Sequence, residues 1–156
     1  MLINFICVGT KMPVWVEQGY VEYTKRLNKD IKLNLIEVEA SKRSKSSSAH
    51  KLKSEEANRI LKVLPKSNHI VTLDVKGKPH NTESLAELLE HWLHLGKDVS
   101  LITGGPDGLD DSILKSANES WSLSNLTFPH PIVRVVVAEQ IYRAWSLLNN
   151  HPYHRA

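Results

Sequence analysis

Short apolar runs rich in β-branched residues alternate with helical patterns along almost the whole chain. The strand-like runs lie at residues 2–8, 31–38, 69–75 and 99–103, and a fifth is expected within residues 121–128. Strands separated by helices are typical of α/β proteins, in which helices cover a parallel sheet. The second run alternates apolar with polar side chains, as an edge strand does, whereas the others are nearly continuous. The pattern predicts a parallel sheet flanked by helices.

Apolar residues at helical spacing fill the stretches between these runs. The stripes are Val16, Tyr20, Tyr23 and Leu27 in the first helix, Ala57, Ile60, Leu61 and Leu64 in the second, and Leu85, Leu88, Leu89 and Trp92 in the third. Gly77 and Pro79 are expected to turn the chain, and Thr82 to cap the third helix. A short helix is expected at residues 110–118. Residues 132–148 are apolar around most of the circumference, so this last helix must be buried.

Length and composition limit the class of protein. A chain of 156 residues, 41% of them hydrophobic, is expected to form a single domain over residues 1–156. No apolar run approaches the roughly 20 residues that cross a bilayer, and residues 2–8 lack the basic flank and cleavage site of a signal peptide. Cys7 is the only cysteine, which excludes an internal disulfide, and its apolar strand predicts burial. We therefore expect a cytoplasmic protein that has no membrane contact.

Positive charge is concentrated between Glu39 and Glu55. The net charge of +3 merely permits an anionic partner, but this stretch contains Lys42, Arg43, Lys45 and two further lysines, with serines in between and no acid. Mobile cationic side chains bind phosphate backbones and release counterions, so this basic loop could bind RNA or DNA. A loop that is merely solvated explains the composition equally well.

A glycine-rich loop with the sequence G-G-P-D-G follows the strand at residues 99–103 and occupies residues 104–108. Glycines at the carboxyl end of a parallel strand allow a ligand to approach the backbone closely, although a tight turn would use the same residues. The dinucleotide fingerprint, the P-loop lysine and the G-x-S-x-G elbow are all absent from the sequence, which weakens oxidoreductase, NTPase and hydrolase hypotheses. Asp107, Asp110 and Asp111 are better explained as turn and cap residues than as an acid–base pair.

The tail, residues 149–156, concentrates aromatic, titratable and cationic groups after the last helix. Tyr153 and His154 could stack on a base, Arg155 could pair with a phosphate, and a histidine could transfer a proton near neutral pH. A frayed terminus is the alternative. The eight histidines also raise a metal hypothesis, but no cysteine partner and no H-E-x-x-H spacing supports it, so no metal is expected.

Short motifs from one end of the chain to the other are highly specific in combination. They include V-G-T-K-M-P at residues 8–13, V-T-L-D at 71–74, G-K-P at 77–79, G-G-P-D-G-L at 104–109, W-S-L-S at 121–124, Y-R-A-W at 142–145 and N-H-P-Y-H-R at 150–155. With these motifs the chain resembles the RlmH family of SPOUT-class methyltransferases, which methylate N3 of a pseudouridine in large-subunit (23S) ribosomal RNA. The match is weakest at residues 40–66, which include most of the basic loop.

The resemblance implies a fold, a cofactor and partners. The fold is a parallel sheet flanked by helices whose C-terminal part is threaded into a trefoil knot, an exception to un-knotted topology. The protein would be a homodimer, the cofactor would be S-adenosylmethionine, and the substrate would be rRNA within the assembled ribosome. The cofactor-binding residues that the resemblance implies are Leu73, Gly104, Gly105, Leu123, Ser124, Asn125, Leu126, Thr127 and Phe128.

The resemblance also directs the chemistry to the tail. The tail of one subunit is expected to approach the cofactor of the other, with His154 as the general base, Tyr153 stacking on the substrate and Arg155 anchoring phosphate or developing negative charge. Lys42, Arg43 and Lys45 of the basic loop, together with Arg155, are the expected RNA contacts. Two rival hypotheses stay open: a ribosome-binding factor without enzymatic activity, and a methyltransferase acting on a different RNA nucleotide.

Overall fold

The computed structural model describes residues 1–27 and 30–155. Strands and helices alternate through this part of the chain as the sequence predicts. In chain order they are β1 (Leu2–Val8), α1 (Val14–Thr24), β2 (Lys32–Val38), α2 (Ala49–Val63), β3 (His69–Pro79), α3 (Thr82–His94), β4 (Val99–Thr103), α4 (Asp111–Ser116), β5 (Glu119–Ser122), α5 (His130–Leu148) and a 3₁₀ helix (Pro152–Arg155).

The five strands form one sheet in the order β2-β1-β4-β3-β5, and every neighbouring pair is parallel. In the register, Phe5 of β1 pairs with Leu35 of β2 on one side and with Leu101 of β4 on the other. β2 lies at an edge, which confirms the prediction from its alternating pattern. The predicted parallel α/β architecture is therefore confirmed.

Alternate residues of each strand face two separate hydrophobic layers, as the strand period of two requires. Phe5 and its neighbours two residues away face α1, α3 and α5, whereas Ile6 faces α2 and α4. Cys7 lies in the first layer and is 1% exposed, as predicted. α5 contributes the largest share of this layer among the helices because it packs against both α1 and α3. The burial predicted for the last helix is confirmed.

The carboxyl ends of the strands are crossed by the segment that joins β5 to α5. β5 lies at the sheet edge beyond β3, whereas the first turns of α5 reach β1 and β2. Arg134 of α5, which is 2% exposed, donates to the carbonyl oxygen of Gly9 at 2.7 Å and forms an ion pair with Glu37 of β2. Residues 123–129 therefore run past the ends of β3 and β4 before α5 begins.

The predicted end of the third strand is wrong. Gly77 and Pro79 do not turn the chain, because β3 continues through them to pair with β5 after a register shift between Leu73 and Lys78. The cap of α3 is Asn81 rather than Thr82, and its side chain accepts a hydrogen bond from the backbone amide of Ser84 at 2.8 Å. The strand is longer than predicted because the pairing with β5 carries it past its apolar run.

The basic loop is shorter than predicted. α2 begins at Ala49, and the hydroxyl of Ser48 caps it by accepting from the amide of Lys51 at 3.2 Å. Lys51 and Lys53 therefore lie on a helix, and the connection from β2 to α2 comprises residues 39–48. These ten residues form the basic loop. Ser48, one of the serines that predicted a flexible loop, instead caps the start of α2.

Gly77 gives a direct test of the extended β3. A Cβ atom at this position would lie 2.6 Å from the backbone carbonyl carbon of Trp121, which is closer than real contacts allow. We expect Gly77→Ala to lower the free energy of unfolding by about 1–3 kcal/mol, as overpacking does, because the paired β5 backbone must move. Chemical denaturation measures this loss, and the exposed neighbour Lys76→Ala is the control. Equal stability of the two variants would contradict the pairing beyond the register shift.

Candidate functional site

A pocket of about 750 Å³ lies at the carboxyl ends of β3, β4 and β5. It is bounded by three stretches of chain that are distant in sequence: the end of β3, the glycine loop after β4, and the crossing segment with the start of α5. The lining residues are Leu73, Asp74, Val75, Thr103, Gly104, Gly105, Pro106, Asp107, Gly108, Ser122, Leu123, Ser124, Leu126, Thr127, Phe128, Pro129, His130 and Val133. Open parallel sheets bind ligands at this edge.

The cofactor-binding residues implied by the resemblance are brought together here. All of them except Asn125 line the pocket: Leu73, Gly104, Gly105, Leu123, Ser124, Leu126, Thr127 and Phe128. Asn125 is exposed and is not among the lining residues. The pocket also includes residues that sequence reasoning did not select, notably Asp74, Thr103 and His130.

The glycine loop is both a tight turn and a wall of the pocket. The amide of Gly108 donates to the carbonyl oxygen of Gly105 at 2.9 Å, with Pro106 and Asp107 at the two central positions of the turn. A Cβ atom on Gly104 would lie 2.5 Å from the carbonyl oxygen of Gly108. The turn therefore closes only without a side chain at position 104, and the backbone itself faces the pocket.

The crossing segment forms the opposite wall. The hydroxyl of Ser124 accepts from the amide of Leu126 at 2.9 Å, which tightens the chain just after β5. Leu123 and Phe128 are partly buried against the core, whereas Leu126 is 71% exposed at the pocket. This wall thus offers apolar side chains that are anchored on one side and open to a ligand on the other.

His130 is the first residue of α5 and lies between Pro129 and Pro131. Burial lowers the pKa of its imidazole below the ordinary value of 6.5, Arg134 lowers it further, and Glu56 opposes the shift. Its Nδ1 atom is buried and has no hydrogen-bond partner among the residues that the structure describes. The pocket wall therefore carries a neutral imidazole at neutral pH.

The basic loop lies beside the pocket. Arg43 forms an ion pair with Asp107, which lines the pocket, so the cation predicted to contact RNA already has a partner within the chain. Lys42 and Lys45 are exposed, and no ion pair within residues 1–27 and 30–155 includes them. The loop thus presents two free cations next to the mouth of the pocket.

The tail packs against its own α5, away from its own pocket. The hydroxyl of Tyr153 donates to Glu139 at 2.9 Å, and the Arg143 guanidinium lies 5.0 Å from the ring centroid of Tyr153. Burial, followed by the hydrogen bond to Glu139, raises the pKa of Tyr153. His154 is half-buried and Arg155 is exposed. The tail therefore forms a 3₁₀ helix that is held against α5. Its contact residue Glu139 lies about two and a half helical turns after His130, the pocket residue at the start of α5.

Two kinds of feature are absent from the part of the chain that the structure describes. No helix within it is long and apolar enough to span a membrane. Among the same residues, His, Cys, Asp and Glu side chains form no group of three that could hold a metal ion.

The parallel sheet and its carboxyl edge define an α/β protein with a pocket of ligand size between its glycine loop and a late crossing of the chain. A family model described as "Predicted SPOUT methyltransferase" matches residues 1–154. The chain therefore belongs to the SPOUT methyltransferase family, and the family expected from the motifs is confirmed. Membership of a methyltransferase family implies a methyl donor as the ligand.

Curated relatives match the chain over nearly its full length. A protein of Hydrogenovibrio crunogenus is 55% identical over 99% of both chains, and one of Methylococcus capsulatus is 52% identical over 99% of this chain and all of its own. A Hahella chejuensis protein is 52% identical over 99% of both chains. All three are named ribosomal RNA large subunit methyltransferase H.

Among solved structures, a probable methylase family protein from Haemophilus influenzae Rd KW20 is similar to this chain with a TM-score of 0.55. The alignment covers 96% of this chain and 69% of that one, at 14% sequence identity. At this identity the likeness concerns the fold alone, and it agrees with the α/β architecture described above.

The pKa of His130 gives a test of the pocket wall. Because burial holds its folded-state pKa below 6.5, the unfolded chain takes up a proton at this residue first as the pH falls. His130 should therefore contribute a loss of stability that begins near pH 6.5 and ends below its folded pKa. We expect an NMR titration midpoint below 6.5, and a smaller fall in unfolding free energy for His130→Gln than for the natural chain. A midpoint at or above 6.5 would contradict the burial.

Proposed function

We propose that this protein transfers a methyl group from S-adenosylmethionine to N3 of a pseudouridine in large-subunit (23S) ribosomal RNA, within the cytoplasmic ribosome. The observation that carries the proposal is the convergence of three separate sequence segments on one pocket of about 750 Å³. The relatives named ribosomal RNA large subunit methyltransferase H, at 52–55% identity over 99% of this chain, support the class of substrate.

The pocket suits S-adenosylmethionine in size and chemistry. Its volume lies within the range of about 300–1,000 Å³ that small-molecule sites occupy. Leu73, Leu123 and Phe128 offer apolar surfaces for a flat adenine ring, and Gly104 and Gly105 leave backbone groups accessible to a ligand. The lining residues therefore fit a nucleoside with a short polar chain.

The residues of the chain mainly bind and orient the reactants. When bound, S-adenosylmethionine supplies a methyl group on a sulfonium, which leaves as a neutral thioether. Because the methyl group is already activated, the enzyme gains most by holding donor and acceptor in line and excluding water. The glycine loop and the crossing segment would hold the donor between them, and the exposed Lys42 and Lys45 would bind phosphates beside the mouth of the pocket.

The proton on the pseudouridine N3 must leave for this nitrogen to act as a nucleophile. We assign its removal to His154, because an imidazole nitrogen is the commonest general base in enzymes. Tyr153 is held by Glu139 and packs on Tyr142 at 4.7 Å between ring centroids, so its role is to fix the tail rather than to move freely onto a base. Arg155, at the exposed end, would contact a substrate phosphate.

A homodimer completes this site. The tail contacts Glu139 and Arg143 of its own chain and does not line its own pocket. In the proposed site it therefore contributes to the pocket of another copy. Apolar side chains suited to an interface are exposed on α1 and α5. They are Val14, Trp15, Val21 and Ile132. In the proposed dimer these residues are buried and each tail reaches the partner's pocket.

The trefoil knot belongs to the same proposal. The crossing segment passes the ends of β3 and β4, and α5 then packs between α1 and α3, although the connection from β3 to α3 lies on the same side of the sheet. In the proposed knot, the crossing segment and α5 are threaded beneath that connection.

The reaction is tested by incubating the protein with methyl-labelled S-adenosylmethionine and ribosomes that lack the modification. We expect label on pseudouridine N3 after nucleoside mass spectrometry of the digested rRNA. Cofactor binding without transfer to this nucleotide would move the activity to another RNA. Absence of both binding and transfer would favour a ribosome-binding factor without enzymatic activity.

The role of His154 is tested by His154→Ala. If its imidazole is the general base, turnover at saturating substrate should fall by about 10² or more while the affinity for S-adenosylmethionine is unchanged. Single-turnover kinetics and calorimetry measure the two quantities. His91→Ala, at an exposed position of α3 outside the pocket and the tail, is the control and should keep its turnover. Turnover of His154→Ala equal to that of the natural chain would remove the assignment.

A further inference from the structure

A buried carboxylate lies beneath the glycine loop. Glu56 projects from α2, is only 7% exposed, and accepts the backbone amide of Ser41 at 3.0 Å through Oε1. None of the ion pairs within residues 1–27 and 30–155 includes it. A buried charge without a counter-charge is costly, so its retention here calls for a partner outside these contacts.

Glu56 is packed directly against the loop that bounds the pocket. A Cβ atom on Gly105 would lie 2.9 Å from Oε2 and 3.3 Å from Oε1 of Glu56. The carboxylate therefore occupies the space that a side chain at position 105 would need. Because its other contact is Ser41, one side chain supports both the glycine loop and the start of the basic loop.

Within the described residues, the neighbouring cations are bonded to other groups and give Glu56 no counter-charge. The nearby guanidinium of Arg134 is bonded to Glu37 and to the Gly9 carbonyl oxygen, and Arg59 donates to the Glu39 carbonyl oxygen and the Ser41 hydroxyl.

The negative potential of Glu56 extends to the pocket. Of the carboxylates that line the pocket, Asp107 is paired with Arg43 and Asp74 accepts the backbone amide of Lys76. Glu56 lies behind the wall and acts electrostatically on His130, a residue of that wall. A cation bound in this pocket would therefore lie in the field of Glu56.

We propose that Glu56 is a positioning residue for the methyl donor: it supports the glycine loop, and its charge makes the pocket bind the cationic sulfonium more tightly than the neutral thioether product. The inference rests on the proposed function, because it takes S-adenosylmethionine as the ligand. It assigns the discrimination between donor and product to a residue that does not itself line the pocket. Product release would be favoured because transfer of the methyl group removes the charge that Glu56 stabilises.

The isosteric change Glu56→Gln separates charge from shape, since its amide oxygen still accepts from Ser41. A unit charge within about 10 Å, at an effective dielectric constant of about 20, changes the affinity for a cation on the order of tenfold. We expect calorimetry to show about a tenfold weaker Kd for S-adenosylmethionine and less than about a twofold change for S-adenosylhomocysteine. Glu87→Gln, an exposed carboxylate on α3, is the matched control and should leave both affinities unchanged.

Three outcomes would overturn the proposal. Equal weakening of both ligands would reduce Glu56 to a purely structural support, and unchanged affinities would remove it from ligand binding altogether. If Glu56→Gln does not fold, Glu56→Asp retains the charge and should keep the natural ratio of the two affinities, even where both are weaker. If Glu56→Asp loses the natural ratio of the two affinities, the charge of residue 56 does not set the preference for the donor. Failure of the natural chain to bind either ligand would instead contradict the proposed function.

Discussion

The amino-terminal end of α5 is fixed by one buried guanidinium. Arg134 bonds to the Gly9 carbonyl oxygen at the end of β1 and to Glu37 on β2, on the far side of the sheet from the edge where β5 lies. Arg134 is 2% exposed, so these two partners replace the water that its guanidinium loses on burial, whereas Glu37 keeps contact with solvent. Because α5 must begin there, residues 123–129 are drawn across the ends of β3 and β4. The pocket exists because of that path.

The fold was predictable wherever local pattern and tertiary packing agree. The buried strand Val99–Thr103 appears with the predicted bounds, and the alternating pattern of β2 correctly indicated an edge. The errors lie where distant pairing overrides local signals. Lys78 and Pro79 have no strand pattern of their own, yet they pair with Trp121 and Ser122 after the register shift. No sequence pattern around Lys78 and Pro79 identifies β5 as their pairing partner.

Some residues of the candidate site could likewise be predicted from local sequence, whereas others depend on tertiary structure. The glycine loop was found from composition, because glycines that directly follow a buried parallel strand favour a turn open to a ligand. The residues across the pocket were found through the resemblance, because convergence of distant segments is a tertiary property. Glu56 escaped both approaches, since it lies among the apolar positions of α2 and within residues 40–66, where the resemblance is weakest. Its contact with Gly105 appears only in three dimensions.

The late position of α5 in the chain has a consequence for synthesis. The layer formed by α1 and α3 stays open until α5 packs between them, and α5 is translated after both of them. β5, which completes the sheet beside β3, is also made late. Contacts between segments so distant in sequence form slowly and expose apolar surface meanwhile. Until α5 has been made, the apolar faces of α1 and α3 lack the helix that covers them, and the nascent chain exposes the kind of surface that promotes aggregation.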